Sequence, residues 1–234
     1  MEHERVLGVF AHPDDADVGS GGTLAHLAAE GASVSIVVAT LGGAGGFCAE
    51  GQDRISDVRR QEQLDSAADL GIESVNFLGY IDGELRPTVD VVRDIVAQIR
   101  IHRPTLVVTM SPEHNWTSVS ASHPDHRAVG EATIQAVYPA ARNPFAFREL
   151  LGAGLEPWTV EEIWLQGHQQ PNYFFELSAQ DMEKKLSAVA RHESQFEDTD
   201  ATVQYVREVS RQCAVSGGLG TDRFAEDFLR YSAK

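Results

Sequence analysis

The chain is poor in cysteine, in basic residues and in long apolar runs, and each shortage excludes something. Two cysteines in 234 residues, Cys48 and Cys213, are too few for a disulfide framework. Cys48, alone in a glycine-rich setting, is also a poor candidate for a soft metal ligand. Nineteen lysines and arginines stand against 35 aspartates and glutamates, a formal charge of −16. Such a field repels phosphate backbones and anionic lipid surfaces, so neither nucleic acid nor membrane is an expected partner. No apolar run approaches the roughly 18 residues of a membrane span, and the opening MEHERVLGVF has no long apolar segment. A cytoplasmic location is expected.

What is present is an alternation. The apolar runs RVLGVF, SVSIVVATL, SVNFLGY and TLVVTM are separated by amphipathic stretches, with helices expected near Gly21 to Glu30, Ile55 to Leu70, Val89 to His102 and Asp125 to Tyr138. This is the pattern of a parallel sheet covered on both faces, a Rossmann-like three-layer αβα fold with a mostly parallel sheet. EEIWLQG and NYFFELS read as two later strands, followed by helical patterns to the C-terminus. We expect a single domain over 1–234, with a Rossmann-like core over 1–140 and residues 141–234 completing it.

Ligands of open α/β sheets bind at the carboxyl ends of the strands. There the sequence places AHPDD after the first run, GGAGGF after the second, and SPEHNW with SASHPDH after the fourth. Carboxylates this dense need a cation, and neither Lys nor Arg occurs between Arg5 and Arg54, which leaves a metal ion as the simplest partner. His-Pro marks an abrupt turn into a helix, so residues three apart face one way: His12 with Asp15, and His123 with His126. His12, Asp15 and one distant histidine would form a two-histidine, one-carboxylate site for Zn²⁺ or Fe²⁺ with positions left open for water and substrate. Asp14 is then free to act as general base, and His123 to stabilise the oxyanion and protonate a leaving amine, with Asp125 orienting it. The glycines in GSGGTLA resemble a dinucleotide-binding turn, but Asp14, Asp15 and Asp17 would repel a pyrophosphate, so close helix packing is the expected use.

AHPDD, the downstream HPDH, and Arg59-x-x-Glu62 ahead of AADLG together resemble the LmbE/PIG-L family of metal-dependent N-deacetylases over most of the chain. The resemblance implies a Rossmann-type fold, zinc as cofactor with Fe²⁺ as the alternative, and a small-molecule amino-sugar or amide substrate. It implies His12, Asp15 and His126 as metal ligands, Asp14 as general base, His123 as the transition-state histidine, and Arg59 with Glu62 as substrate contacts. His192 and Gln195 of RHESQ match a later motif of that family, and Ala16 stands where many relatives carry an acidic residue. The expected reaction is N-deacetylation of an N-acetylglucosamine-type sugar or its conjugate. The alternatives are an amidase of a thiol or secondary-metabolite conjugate, and a non-catalytic nucleotide- or metal-binding module; a homo-oligomer is left open. Residues Ser111 to Ser122 and Asn143 to Trp158, with Phe145, Phe147 and Trp158, are expected to overhang the metal.

Overall fold

The computed structural model describes residues 3–47, 51–116 and 119–234. Strand β1 (Arg5–Phe10) leads into helix α1 (Asp15–Ala29), β2 (Ser33–Thr40), α2 (Ile55–Leu70), β3 (Ser74–Tyr80), α3 (Val89–His102), β4 (Leu106–Met110) and α4 (Pro124–Gln135). After a π-helical turn over Ala136–Ala141 come α5 (Arg148–Gly152), β5 (Glu162–Gln166), β6 (Tyr173–Leu177), α6 (Ala179–Ala190), α7 (Thr199–Ser216) and β7 (Phe224–Ser232). The sheet has the order β3-β2-β1-β4-β5-β7-β6. Its first five strands are parallel, and β7 runs antiparallel to both its neighbours.

Helices α1, α2, α6 and α7 pack on one another on one face of the sheet, while α3 and α4 pair on the other. Val6, Leu7, Val9 and Phe10 of β1, like Leu106, Val107 and Val108 of β4, are buried, as continuous apolar strands require when both faces are covered. After β1 the chain turns toward β2 and β3, and it later returns to β4 on the other side. The gap between the carboxyl ends of β1 and β4 is therefore the topological switch point, where no crossover covers the sheet edge. Gly130 presses α4 onto that edge: a Cβ there would lie 2.3 Å from the Met110 carbonyl oxygen.

Two element assignments differ from the sequence reading. Helix α1 starts six residues before the expected Gly21, and its first-turn Asp15 and Asp17 suit the positive end of a helix. The C-terminal FAEDFLRYS, expected to continue a helical pattern, is strand β7. Pairing on both sides with β5 and β6 overrides the helical propensity of its Ala, Glu and Leu.

Candidate active site and metal centre

The loop after β1 is held from three directions. Ala11 and His12 donate their backbone N–H groups to Asp15 Oδ2 at 3.1 and 2.8 Å, which fixes that carboxylate over the loop. Asp14 takes φ 94°, a left-handed conformation costly for a residue with a Cβ, on the order of 1–3 kcal/mol. Helix α2 supplies the compensation from one face. Arg59 donates to the Pro13 carbonyl (2.7 Å), the Gly42 carbonyl (2.9 Å) and Asp14 Oδ2 (3.2 Å), while Gln63 Oε1 accepts the Asp14 N–H at 2.9 Å. Across the switch point His123 caps α4, its Nδ1 accepting the Asp125 N–H at 3.2 Å, with Pro124 in the first turn.

The two loops meet. His12 Nδ1 lies 3.2 Å from His126 Nε2 and 3.6 Å from Asp15 Oδ2, and His126 Nε2 lies 3.0 Å from Asp15 Oδ1. The other nitrogen, His12 Nε2, faces Asp82 Oδ1 at 3.0 Å and Asp125 Oδ2 at 3.3 Å. Two carboxylates accepting at Nε2 hold the proton there and leave the Nδ1 lone pair aimed at Asp15 and His126. Asp125 is itself fixed: fully buried, it accepts the Gly83 and Leu85 N–H groups at 2.7 and 3.2 Å. The His123 ring stands edge-on to His12, with centroids 4.8 Å apart.

The donor set fits a metal ion. Donors around a tetrahedral zinc, with bonds of about 2.0–2.1 Å, are separated by about 3.3 Å. The three closest approaches among His12, Asp15 and His126 are 3.0, 3.2 and 3.6 Å. The ligand atoms of His12, His123 and His126 also lie within 4.8 Å of one another. The local field is cation-seeking. Burial pulls the His12 pKa down, but its Asp82 hydrogen bond and the charge of Asp15 outweigh that and raise it to about 9. Burial works against ionised Asp15, yet His126 and His12 hold its carboxyl well below the usual range. A pocket that draws protons onto its imidazoles attracts a divalent cation by the same charges. Burial raises Asp14 to about 6, with Arg59 opposing.

The structure thus brings His12, Asp14, Asp15, His123, Asp125 and His126 to one edge, with three residues whose contacts differ from expectation. The Asp125 carboxylate faces His12 rather than His123, which it meets only through its backbone N–H. Arg59 is buried, and its guanidinium engages Asp14 and two backbone carbonyls. Glu62 accepts from the Ser194 N–H (2.9 Å) and Oγ–H (2.7 Å). Three residues were missed. Asp82, in the loop after β3, was findable from the strand-end rule. Gln63, four residues after Arg59, shares its helix face. Asp17 receives buried His192 Nε2 at 2.9 Å and Gln63 Nε2 at 3.0 Å. Cys48 lies outside the described residues.

The expected overhang of Asn143 to Trp158 is overturned. Trp158 Nε1 donates to the Pro104 carbonyl at 2.7 Å, its ring lies under Arg5 and Arg103, and Arg100 holds the carbonyls of Ala141 and Asn143. These partners sit at the amino ends of β1 and β4, because α4 begins at the site edge and carries the chain to the opposite one. Residues 111–116 and 119–122 stay at the site edge. The glycine stretch of α1 is covered by side chains rather than open to a phosphate: a Cβ at Gly19 would meet Gln166 at 2.3 Å, and one at Gly22 would meet Leu177 at 2.6 Å.

A family model described as PIG-L, GlcNAc-PI de-N-acetylase, matches residues 7–137, a span that includes His12, Asp14, Asp15, His123, Asp125 and His126. The chain belongs to the PIG-L family. It is 37% identical over 194 residues to the diacetylchitobiose deacetylase of Thermococcus kodakarensis, covering 82% of this chain and 70% of that protein. It is 32% identical over 210 residues to a probable N-acetyl-alpha-D-glucosaminyl L-malate deacetylase 2 of Bacillus cereus, covering 86% and 89%. The structure of N,N'-diacetylchitobiose deacetylase from Pyrococcus horikoshii, complexed with its inhibitor MPG, superposes with a TM-score of 0.89 at 29% identity, covering 99% of this chain and 85% of that one. PIG-L proteins are metal-dependent, and this one carries a His/Asp cluster able to hold an ion. Among its described residues no helix is long and apolar enough to cross a membrane.

Proposed function

We propose that this PIG-L chain is a zinc-dependent hydrolase that removes the acetyl group from the nitrogen of a GlcNAc-type amino sugar or a conjugate built on one. The observation that carries the reading is the meeting of His12 Nδ1, Asp15 and His126 Nε2 within 3.0–3.6 Å beside the Arg59-held Asp14. His12, Asp15 and His126 would hold the zinc, which supplies Lewis acidity toward the amide carbonyl and lowers the pKa of a water.

The remaining work falls to the protein. Asp14 accepts a proton at its carboxylate from the water that adds to the acyl carbon, and a pKa raised to about 6 by burial suits a base working near neutrality. Arg59 keeps that carboxylate in place and sets the loop. His123 is shifted down, first by burial and then by the charges of His12 and His126, so it is neutral at pH 7. Because its Nδ1 accepts the Asp125 N–H, its proton sits on Nε2, a donor for the carbonyl oxygen as that atom gains charge. As the C–N bond breaks, the proton held by Asp14 passes to the nitrogen, so that one water yields acetate and a free amine. The test is amine release from N-acetylglucosamine and N,N'-diacetylchitobiose by chelated and zinc-reloaded protein. Turnover restored by zinc supports the reading, and none on either sugar at full zinc occupancy overturns it.

A further inference from the structure

Strand β5 ends on a glutamine that the proposed chemistry does not use. Ile163, Trp164 and Leu165 are buried, as a strand covered on both faces requires, and Gln166, only 5% exposed, follows them at the carboxyl end. The sheet fixes its backbone: Gln166 is in register with Met110, and its carbonyl accepts the Ser111 N–H at 2.9 Å. The side chain leaves the sheet. Passing Met110 Sδ, which lies 3.0 Å from Nε2, it donates to the Asp15 carbonyl at 3.0 Å. Strand β4 separates β5 from β1, so this contact joins the first turn of α1 to a strand two places away from the one that leads into it.

Two observations set the contact apart from space filling. A Cβ at Gly19, one turn along α1, would lie 2.3–2.4 Å from the nitrogen, carbon and oxygen of the Gln166 carboxamide, so the glycine leaves the room that this group occupies. Gln166 Oε1, moreover, is buried with no hydrogen-bond partner among the described residues. An unpartnered buried oxygen destabilises a fold, and a methionine of similar volume would fill the same space without one. What the carboxamide adds is its hold on Asp15.

That hold comes from a side that little else restrains. Arg59 and Gln63 tie Pro13 and Asp14 to α2, and the Ala11 and His12 N–H groups fix the Asp15 carboxylate. Toward β5, however, Asp15 and His126 border a cavity of about 370 Å³ that Gln166 also lines. A metal ligand has to be held to within about 0.5 Å of its working position. Resting on the reading of His12, Asp15 and His126 as zinc ligands, we propose that Gln166 is a positioning residue: its Nε2 bond to the Asp15 carbonyl sets the first turn of α1 so that the Asp15 carboxylate meets His12 and His126 in ligand geometry.

Zinc affinity of the full-length chain, measured by competition with a chromophoric chelator, tests this alongside thermal unfolding of the metal-free protein. Gln166→Met should weaken zinc binding about tenfold, while the metal-free Tm stays level or rises because the unpartnered oxygen is gone. On N,N'-diacetylchitobiose kcat should fall with KM nearly unchanged. Gly19→Ala, which displaces the carboxamide from the helix side, should reproduce the zinc loss. In a Gln166→Ala background, Gly19→Ala should cost no further zinc affinity, since its methyl group then meets no carboxamide. Unchanged zinc affinity in either folded single variant overturns the role of Gln166 and leaves the zinc reading intact. A zinc loss that the double substitution deepens overturns it too, because the two residues then act apart. A lowered metal-free Tm in Gln166→Met overturns it by making the carboxamide a support of the fold. A parent chain that binds no zinc overturns the zinc reading itself, and the positioning role with it.

Discussion

His192 Nε2 lies 2.9 Å from Asp17 Oδ2, and both side chains are fully buried. The contact is the outer end of a relay, because Gln63 Nε2 donates to the same oxygen and Gln63 Oε1 accepts the Asp14 N–H. A residue from the turn after α6 thereby helps to hold the left-handed backbone of the proposed base. His192→Leu leaves a buried carboxylate short of a donor and should cost about 3 kcal/mol, read by denaturant unfolding. Among the folded fraction kcat should fall about tenfold with KM nearly unchanged. His192→Gln, which restores an N–H, should recover part of both. A stability loss with normal kcat per folded molecule would make the relay purely structural.

Metal retention separates the roles of the histidines. Asp15→Ala and His126→Ala should each lose most of the bound metal on gentle purification, because each removes one of the three proposed protein donors. His123→Ala should keep it. Asp125→Asn should weaken metal binding by about 10- to 100-fold, since Asp125 fixes the His12 tautomer through Nε2. A His123 variant that empties the site, read by elemental analysis, would exchange His123 with His126.

Arg59 and Asp14 should fail together. Asp14→Asn should retain metal and lose roughly two to four orders of magnitude in turnover. Arg59→Ala should lower kcat far more than it raises KM, because its guanidinium contacts Asp14 and loop carbonyls. A raised KM with unchanged kcat would show that Arg59 turns toward substrate instead.

The β5–β7 seam gives a pH signature remote from the site. Burial works against ionised Glu162, but Arg230 and the Trp164 N–H outweigh it and hold its pKa below the ordinary value, with Arg230 Nε and Nη2 at 2.7 and 2.8 Å. A depressed carboxylate stabilises the fold fully above its unfolded pKa, near 4.5, and that contribution disappears as pH falls through the lower folded value. Glu162→Gln should therefore cost about 1–2 kcal/mol at pH 7. The difference in Tm from the parent should shrink below pH 4.5. An equal difference at pH 7 and pH 3.5 would assign the loss to packing.

The elements themselves were legible because their causes are local. Apolar runs with no polar alternation mark strands buried on both faces, and Ile55 to Leu70 and Val89 to His102 are bounded as their periodicity predicts. The His-Pro turns at 12–13 and 123–124 follow parallel strands, so the sequence by itself determined which residues crowd the open edge, and their chemistry pointed to a cation. Where each side chain points depends on residues 17 to 175 positions away. Asp125 turns to His12 because Gly83 and Leu85 offer N–H groups on that side, and Arg59 turns inward because Pro13, Asp14 and Gly42 converge on it. His192 becomes a partner only when α6 docks on α1 and α2. Likewise FAEDFLRYS becomes a strand only between β5 and β6, and Asn143 to Trp158 lies far from the His/Asp cluster because α4 carries the chain across the sheet. Local chemistry specified the inventory of the site. Only the tertiary structure decided the pairings within it, since a charged or polar group takes whichever distant partner best relieves the cost of its burial.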